Sequence, residues 1–158
     1  LLQHDMDASP LFPRFEVPLY GQSHFAADAA LTAMLLEAAS AYCAGAEGQL
    51  GAEKVARFGL QQVRAHHGLL VAGDRFVATA AESHALRNAL PGVLAVDMES
   101  AAVAQVCFDY HIPFAAVRTI SDRADDAAHV DFPLFLAQLA APYAQGIMVK
   151  FLHLLSKN

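Results

Sequence analysis

Tryptophan is absent from this chain, cysteine occurs only twice, and charged residues make up 16% of its 158 positions. Cys43 and Cys107 sit in apolar helical surroundings, and neither belongs to a Cys-x₂-Cys pattern. That usage excludes a disulfide-stapled scaffold. Buried free thiols in a reducing, cytoplasmic compartment are expected instead. Basic charge is scarce as well: 10 Lys and Arg face 16 Asp and Glu, for a net charge of −6. A nucleic-acid groove needs the opposite sign, because neutralising phosphates dominates such affinity. No nucleic-acid partner is expected. Long unbroken apolar runs are missing too. A charged or strongly polar residue interrupts each one before it reaches the roughly 18 to 20 residues of a membrane span, so no membrane partner is expected. The opening Leu1-Leu2-Gln3-His4-Asp5 has neither Met nor a basic n-region. It does not read as a signal peptide, and the native start is expected to lie upstream of it.

What the chain does have is apolar material: 56% of its residues are hydrophobic, enough for one well-packed domain and too many for disorder. A single domain over 1–158 is expected. Residues 1–22 carry Pro10, Pro13 and Pro18 among aromatics and read as an ordered loop. Ser23 is expected to cap a helix running to about Ala44, with Phe25, Leu31, Leu35 and Ala39 at helical spacing and Gly45 at its end. A strand is expected over Val63 to Ala72, a helix over Ala80 to Ala89, and a strand over Val93 to Val96 after Pro91-Gly92. A helix from Glu99 to Tyr110 should present Ala102, Val106 and Tyr110 on one face. A third strand follows Pro113, from Phe114 to Ile120. Asp131 should cap a final helix with Phe132, Phe135, Leu136, Leu139 and Tyr143 as its stripe, interrupted at Pro142.

Strands that alternate with helices and are apolar on both faces indicate an α/β fold. The expected architecture is a three-layer α/β/α sandwich around a mixed, mostly parallel sheet. Three strands are few for such a sheet, so N-terminal strands are expected to be missing from this chain.

In open α/β sheets ligands bind beyond the carboxyl ends of the strands. A polar cluster stands at each such end here: Gly73-Asp74-Arg75-Phe76, Asp97-Met98-Glu99-Ser100 and Ser121-Asp122-Arg123. Helix capping accounts for Asp and Ser at the second and third, and it is compatible with ligand binding at the same positions. A carboxylate such as Glu99 can accept two hydrogen bonds from a vicinal diol, as a ribose offers. Phe76 can stack on a base. Asp122, if burial raises its pKa, can protonate a departing base nitrogen. Together these residues describe a nucleoside-cleaving site.

Metal readings are weaker. His66 and His67 are adjacent on an expected strand, so their side chains point to opposite faces, and no His-x₃-His pattern accompanies them. His4-Asp5 resembles a fragment of helical metal-dependent phosphohydrolases, which this strand-rich chain does not match. The acidic loop with Asp122, Asp125, Asp126 and Asp131 lacks the central glycine and terminal glutamate of a calcium loop.

Val96-Asp97-Met98-Glu99-Ser100 before an alanine-rich helix, and Val117-Arg118-Thr119-Ile120-Ser121-Asp122, resemble two signatures of the purine nucleoside phosphorylase/nucleosidase superfamily. Gly73-Asp74-Arg75-Phe76-Val77, the tail from Asp131-Phe132 to Met148-Val149, and His4-Asp5-Met6-Asp7 resemble the 5′-methylthioadenosine/S-adenosylhomocysteine nucleosidase branch. These segments follow the family's order nearly end to end, as its C-terminal part would.

The resemblance implies hydrolysis of a purine nucleoside to adenine without cofactor or metal. Glu99 and Met98 would hold the ribose, Phe76 would stack on adenine, and the Val77 backbone would read its edge. Asp122 would protonate N7, Ser121 would orient that acid, and Arg118 would help place the attacking water. Asp97 stands where the family often has glutamate. Leu11 and Phe12 would cross a homodimer interface and line the neighbouring alkylthio pocket, although local packing also explains them. The family's water-activating carboxylate and glycine-rich ribose segment have no match in these residues. Two alternatives stay open: a phosphorylase that uses phosphate in place of water, and a non-catalytic nucleoside-binding homologue.

Overall fold

In the computed structural model the described residues are 1–58, 60–121, 133 and 135–157. Three parallel strands form the sheet: β1 (Leu2–Gln3), β2 (Leu69–Ala72) and β3 (Val93–Asp97), in the order β1-β2-β3. Leu2 lies opposite Val71, and Val71 opposite Val96. The helices are α1 (Ala29–Ala44), α2 (Ala46–Leu50), α3 (Ala52–Arg57), α4 (Ala80–Ala89), α5 (Ser100–Asp109) and α6 (Ala141–Leu155).

The alternation of side chains along β1 sorts the layers. Leu2 is buried with Val71 against Leu86, Ala89 and Leu90, the side of the sheet that α4 covers. Leu1 points the other way and packs in a cluster with Ala104 of α5, Val17 and Phe25. The sheet is therefore covered on both faces, as apolar parallel strands require. A separate apolar cluster joins α1 to α6 through Ala38, Ala39, Tyr42, Leu139, Tyr143 and Ile147.

Several expectations from sequence hold. The helix over Ala80–Ala89, the strand from Val93 and the helix following Glu99 stand where the pattern places them. Gly92 has φ +92°, the left-handed geometry that a Pro-Gly turn into β3 demands. Pro142 occupies the first turn of α6, and five π-helical residues, Leu136–Ala140, precede it. A proline removes an N–H and crowds the carbonyl four residues back, and a wider turn relieves both.

Others are corrected. Helix α1 starts at Ala29, capped by Asp28, whose carboxylate accepts the Leu31 N–H at 2.8 Å. Ser23 instead pairs with the His24 ring at 2.8 Å. Phe25 lies ahead of the helix, its N–H donating to the Leu1 carbonyl at 2.9 Å. Residues 63–68 form no ladder, so β2 begins only at Leu69. Phe114 to Ile120 forms no ladder either; the third strand is β1, inside the stretch expected to be loop. On α5 the buried residues are Ser100, Ala101 and Ala104, whereas Ala102, Val106 and Tyr110 face solvent. Small side chains, not large ones, let α5 approach the sheet. In the last stripe Leu139 and Tyr143 are buried and Leu136 is exposed. The Asp131 cap and Phe132 lie outside the described residues.

Candidate active site at the strand ends

The carboxyl ends of the strands are tied together by backbone bonds. The His4 N–H donates to the Ala72 carbonyl at 2.8 Å, and the Gly73 N–H donates to the Asp97 carbonyl at 3.3 Å. The first residues beyond β1, β2 and β3 are thus held side by side, and a cleft opens where the ends of β2 and β3 meet residues 118–121.

That cleft has a volume of about 720 Å³, a size that suits a nucleoside-sized ligand. Phe76, Val77, Asp97, Met98, Glu99, Arg118 and Ser121 all line it. These are the cleft-facing residues expected from the sequence, brought together from all three clusters. Asp122, the expected general acid, lies outside the described residues. Leu11 and Phe12 are not among the lining residues; Leu11 is 84% exposed on a turn whose N–H bonds return to the Ala8 carbonyl.

Within the cleft, carboxylates separate into two kinds. The side chain of Asp97 is only 2% exposed. Its Oδ1 accepts the Ser100 N–H at 3.1 Å and the Ser100 hydroxyl at 2.7 Å, capping α5. Its Oδ2 meets Nε of Arg118 at 3.1 Å. That contact is a charge pairing without hydrogen-bond alignment, and it satisfies a carboxylate that would otherwise be buried alone. Asp97 is therefore occupied by the protein itself. Glu99 is the opposite case. Its side chain is 69% exposed and, among the described residues, pairs with a guanidinium nitrogen of Arg118 at 3.6 Å. An exposed pair at that distance is worth little, so the Glu99 oxygens stay available to a ligand.

Phe76 sits 43% exposed on the loop after β2. Its loop runs into a capping box at the start of α4. Thr79 Oγ1 accepts the Glu82 N–H at 3.2 Å, and Glu82 Oε2 reaches back to the Ala78 N–H at 3.3 Å. The Thr-x-x-Glu spacing is the signal that reveals it. The other Glu82 oxygen accepts from Arg75 at 2.8 Å. The hydrogen bond from Thr79 holds the Glu82 carboxyl below its ordinary value, with the Ala78 N–H adding to it.

His4 and Asp5, quoted above only as part of a motif, stand directly behind this loop. Asp5 Oδ2 accepts the Asp74 N–H at 2.7 Å. Burial pushes the Asp5 carboxyl upward, but the Asp74 N–H and its neighbours outweigh that and leave it below the ordinary carboxylate value. Burial likewise lowers the imidazole of His4, with Asp5 opposing and Arg75 reinforcing the shift. Among the described residues no three His, Cys, Asp or Glu side chains gather as metal ligands would. No described helix is long and apolar enough to cross a membrane.

The family described as "Phosphorylase superfamily" matches residues 1–153. A curated relative, the 5′-methylthioadenosine/S-adenosylhomocysteine nucleosidase of Staphylococcus aureus, is 37% identical over 87 residues, covering 55% of this chain and 38% of that protein. Among solved structures, the corresponding nucleosidase of Neisseria meningitidis in complex with methylthio-immucillin-A superposes with a TM-score of 0.71 at 32% identity. The match covers 96% of this chain and 57% of that one. A futalosine hydrolase of Helicobacter pylori gives a TM-score of 0.69 at 27% identity, over 94% of this chain and 57% of that one. The chain therefore spans somewhat over half the length of these solved relatives.

Proposed function

The chain belongs to the phosphorylase superfamily, and on that premise we propose that it forms the C-terminal part of an enzyme hydrolysing the N-glycosidic bond of 5′-methylthioadenosine and S-adenosylhomocysteine. The observation that carries the reading is the cleft that Phe76, Glu99 and Ser121 line together. An aromatic ring, an exposed carboxylate and the residue preceding an acid are what base, ribose and leaving group respectively need.

In this reading Glu99 accepts the 2′- and 3′-hydroxyls of the ribose, with Met98 beside it. Phe76 stacks on adenine, and the Val77 backbone reads its edge. Asp122 donates a proton to N7, so adenine leaves neutral while the sugar becomes oxocarbenium-like. Ser121 orients Asp122. Arg118, anchored on Asp97, keeps its remaining guanidinium nitrogens for the attacking water. The general base that activates this water is assigned to a part of the enzyme beyond these residues. Two observations support such a part. The outer edge of β3 has no ladder partner among the described residues. A second cavity of about 830 Å³ is lined by Leu94 and Ala95 of β3 and by residues 116–121. The whole is read as one α/β/α domain.

Asp122→Asn in the full-length enzyme is expected to lower turnover by about 10²–10⁴-fold, the usual contribution of a general acid, while nucleoside binding persists. Unchanged turnover would remove Asp122 from that role. The same assay offers methylthioadenosine, S-adenosylhomocysteine and futalosine, each with and without phosphate. Turnover that depends on phosphate would make the enzyme a phosphorylase, and preference for futalosine would change the substrate.

The enzyme is further read as a homodimer in which Leu11 and Phe12 meet the partner's alkylthio pocket. The exposure of Leu11 on a proline-flanked turn supports this, since a twofold contact is the commonest way to bury such a surface. Phe12→Asp is expected to weaken dimerisation and methylthioadenosine affinity together; a fully active monomer in sedimentation would exclude it.

A further inference from the structure

Asp5 lines no wall of the cleft, yet it touches the segment that carries the base-stacking ring. Four observations place it there. Its carboxylate accepts the Asp74 N–H at 2.7 Å, across 69 residues of sequence. The residue before it, His4, is pinned to the Ala72 carbonyl at 2.8 Å, so the Asp5 side chain is launched from a fixed point. Gly73 fits between them only because it lacks a side chain: a Cβ there would stand 2.5 Å from His4 Nε2 and 2.8 Å from Asp5 Cγ. Finally, the Gly73 N–H continues the chain of bonds to the Asp97 carbonyl at 3.3 Å. The turn that begins the Gly73-Asp74-Arg75-Phe76 loop is thus clamped from one side by Asp5 and from the other by β3.

On its far side the loop is also held by Glu82, which accepts the Ala78 N–H at 3.3 Å and pairs with Arg75, their side chains 35% and 74% exposed. Exposed ion pairs hold geometry weakly. A charge-assisted bond from a backbone N–H to a half-buried carboxylate is the stronger restraint. From this we propose that Asp5 is a positioning residue for the purine base. By fixing the turn at Asp74, it presets the Phe76 ring and the Val77 backbone, and ligand binding then costs less ordering entropy. This inference rests on the nucleosidase reading of the cleft, and it assigns a role to the histidine-aspartate pair that the chemistry itself leaves unused.

The experiment compares Asp5→Ala, Asp5→Asn and Gly73→Ala with wild type in the full-length enzyme. Affinities for adenine and for methylthioribose are measured separately by calorimetry, alongside kcat and KM for methylthioadenosine. Asp5→Ala is expected to weaken adenine about tenfold, the scale of a lost bond to a charged group, and to raise KM similarly. Methylthioribose affinity should hold and kcat should fall less than about threefold, since a uniform binding contribution acts on KM. Asp5→Asn keeps an oxygen at the same place and should recover most of the loss. Gly73→Ala pushes the clamp from inside the turn and should reproduce the adenine-selective defect, which keeps the question answerable if Asp5→Ala does not fold. Adenine and methylthioribose affinities that fall together would reduce Asp5 to general scaffolding and overturn the proposal. So would adenine affinity that does not move. A wild-type enzyme that neither binds adenine nor releases it from methylthioadenosine would overturn the nucleosidase reading, and this inference with it.

Discussion

Tyr42, at the centre of the α1–α6 contact, is 1% exposed, whereas Glu99, at the strand ends, leaves 69% of its side chain in solvent. The two regions hold their functional groups by different means. Between the helices, shape does the holding. The Tyr42 and Tyr143 rings lie 5.1 Å apart, and α6 can approach because Gly146 offers no side chain against Tyr42. At the strand ends, bonds do it. Asp97 caps α5 and pairs with Arg118, Asp5 clamps the loop after β2, and Glu82 closes the capping box. Packing of the first kind sets ring against ring and ring against backbone. Anchoring of the second kind fixes backbones while the carboxylate of Glu99 stays exposed. A binding site needs that combination of rigid support and unsatisfied surface.

The contrast can be broken most severely at Gly146. A Cβ there would overlap the Tyr42 ring, which is 1% exposed and already packs on Tyr143. Gly146→Ala is expected to destabilise by about 3 kcal/mol, the upper range for overpacking, despite the roughly 1 kcal/mol by which alanine favours a helix. Denaturant unfolding reads this directly. A stabilised variant would mean that the two helices separate more easily than their packing implies.

At the strand ends the effect should fall on function and spare the fold. Glu99→Gln is expected to cost ribosides roughly 1.5–3 kcal/mol of binding, the scale of hydrogen bonds to a charged group, and 2′-deoxy analogues much less. Its exposed pairing with Arg118 contributes little, so the melting temperature should barely move. Equal losses on both substrates would show that Glu99 does not read the diol.

The smallest effect sharpens the comparison from the packed side. The Tyr143 hydroxyl is buried without a hydrogen-bond partner among the described residues, and burial, with Cys43 and Tyr42 nearby, pushes its pKa up to about 12. Tyr143→Phe removes a desolvated polar group without changing the ring, so stability should hold or rise by about 1 kcal/mol. A clear loss in thermal unfolding would reveal a partner for that hydroxyl.

How far these regions could be read beforehand differs in the same way. The site was legible because its chemistry is local in sequence. Asp97 to Glu99 and Arg75 to Val77 are short runs at or just after strand ends, and with Arg118 to Ser121 they line one cleft. The fold was legible where a glycine or a turn marks a boundary, as at Gly45 and Pro91-Gly92. It misled where strand formation depends on a neighbour. Phe114 to Ile120 has the composition of a buried strand but no ladder, and Leu2–Gln3 is a strand only because β2 lies beside it.

Composition, period and short motifs by themselves determined the α/β class, the α4 and α5 helices and the residues that share the cleft, because these follow from propensity and spacing within a few turns of chain. Tertiary structure alone decided which segments pair, which face of α5 is buried, and which carboxylates remain available. Asp97 and Glu99 are two residues apart and equally acidic in sequence. One is consumed by Ser100 and Arg118 and the other is left open, because only the folded chain brings a guanidinium from residue 118 against residue 97.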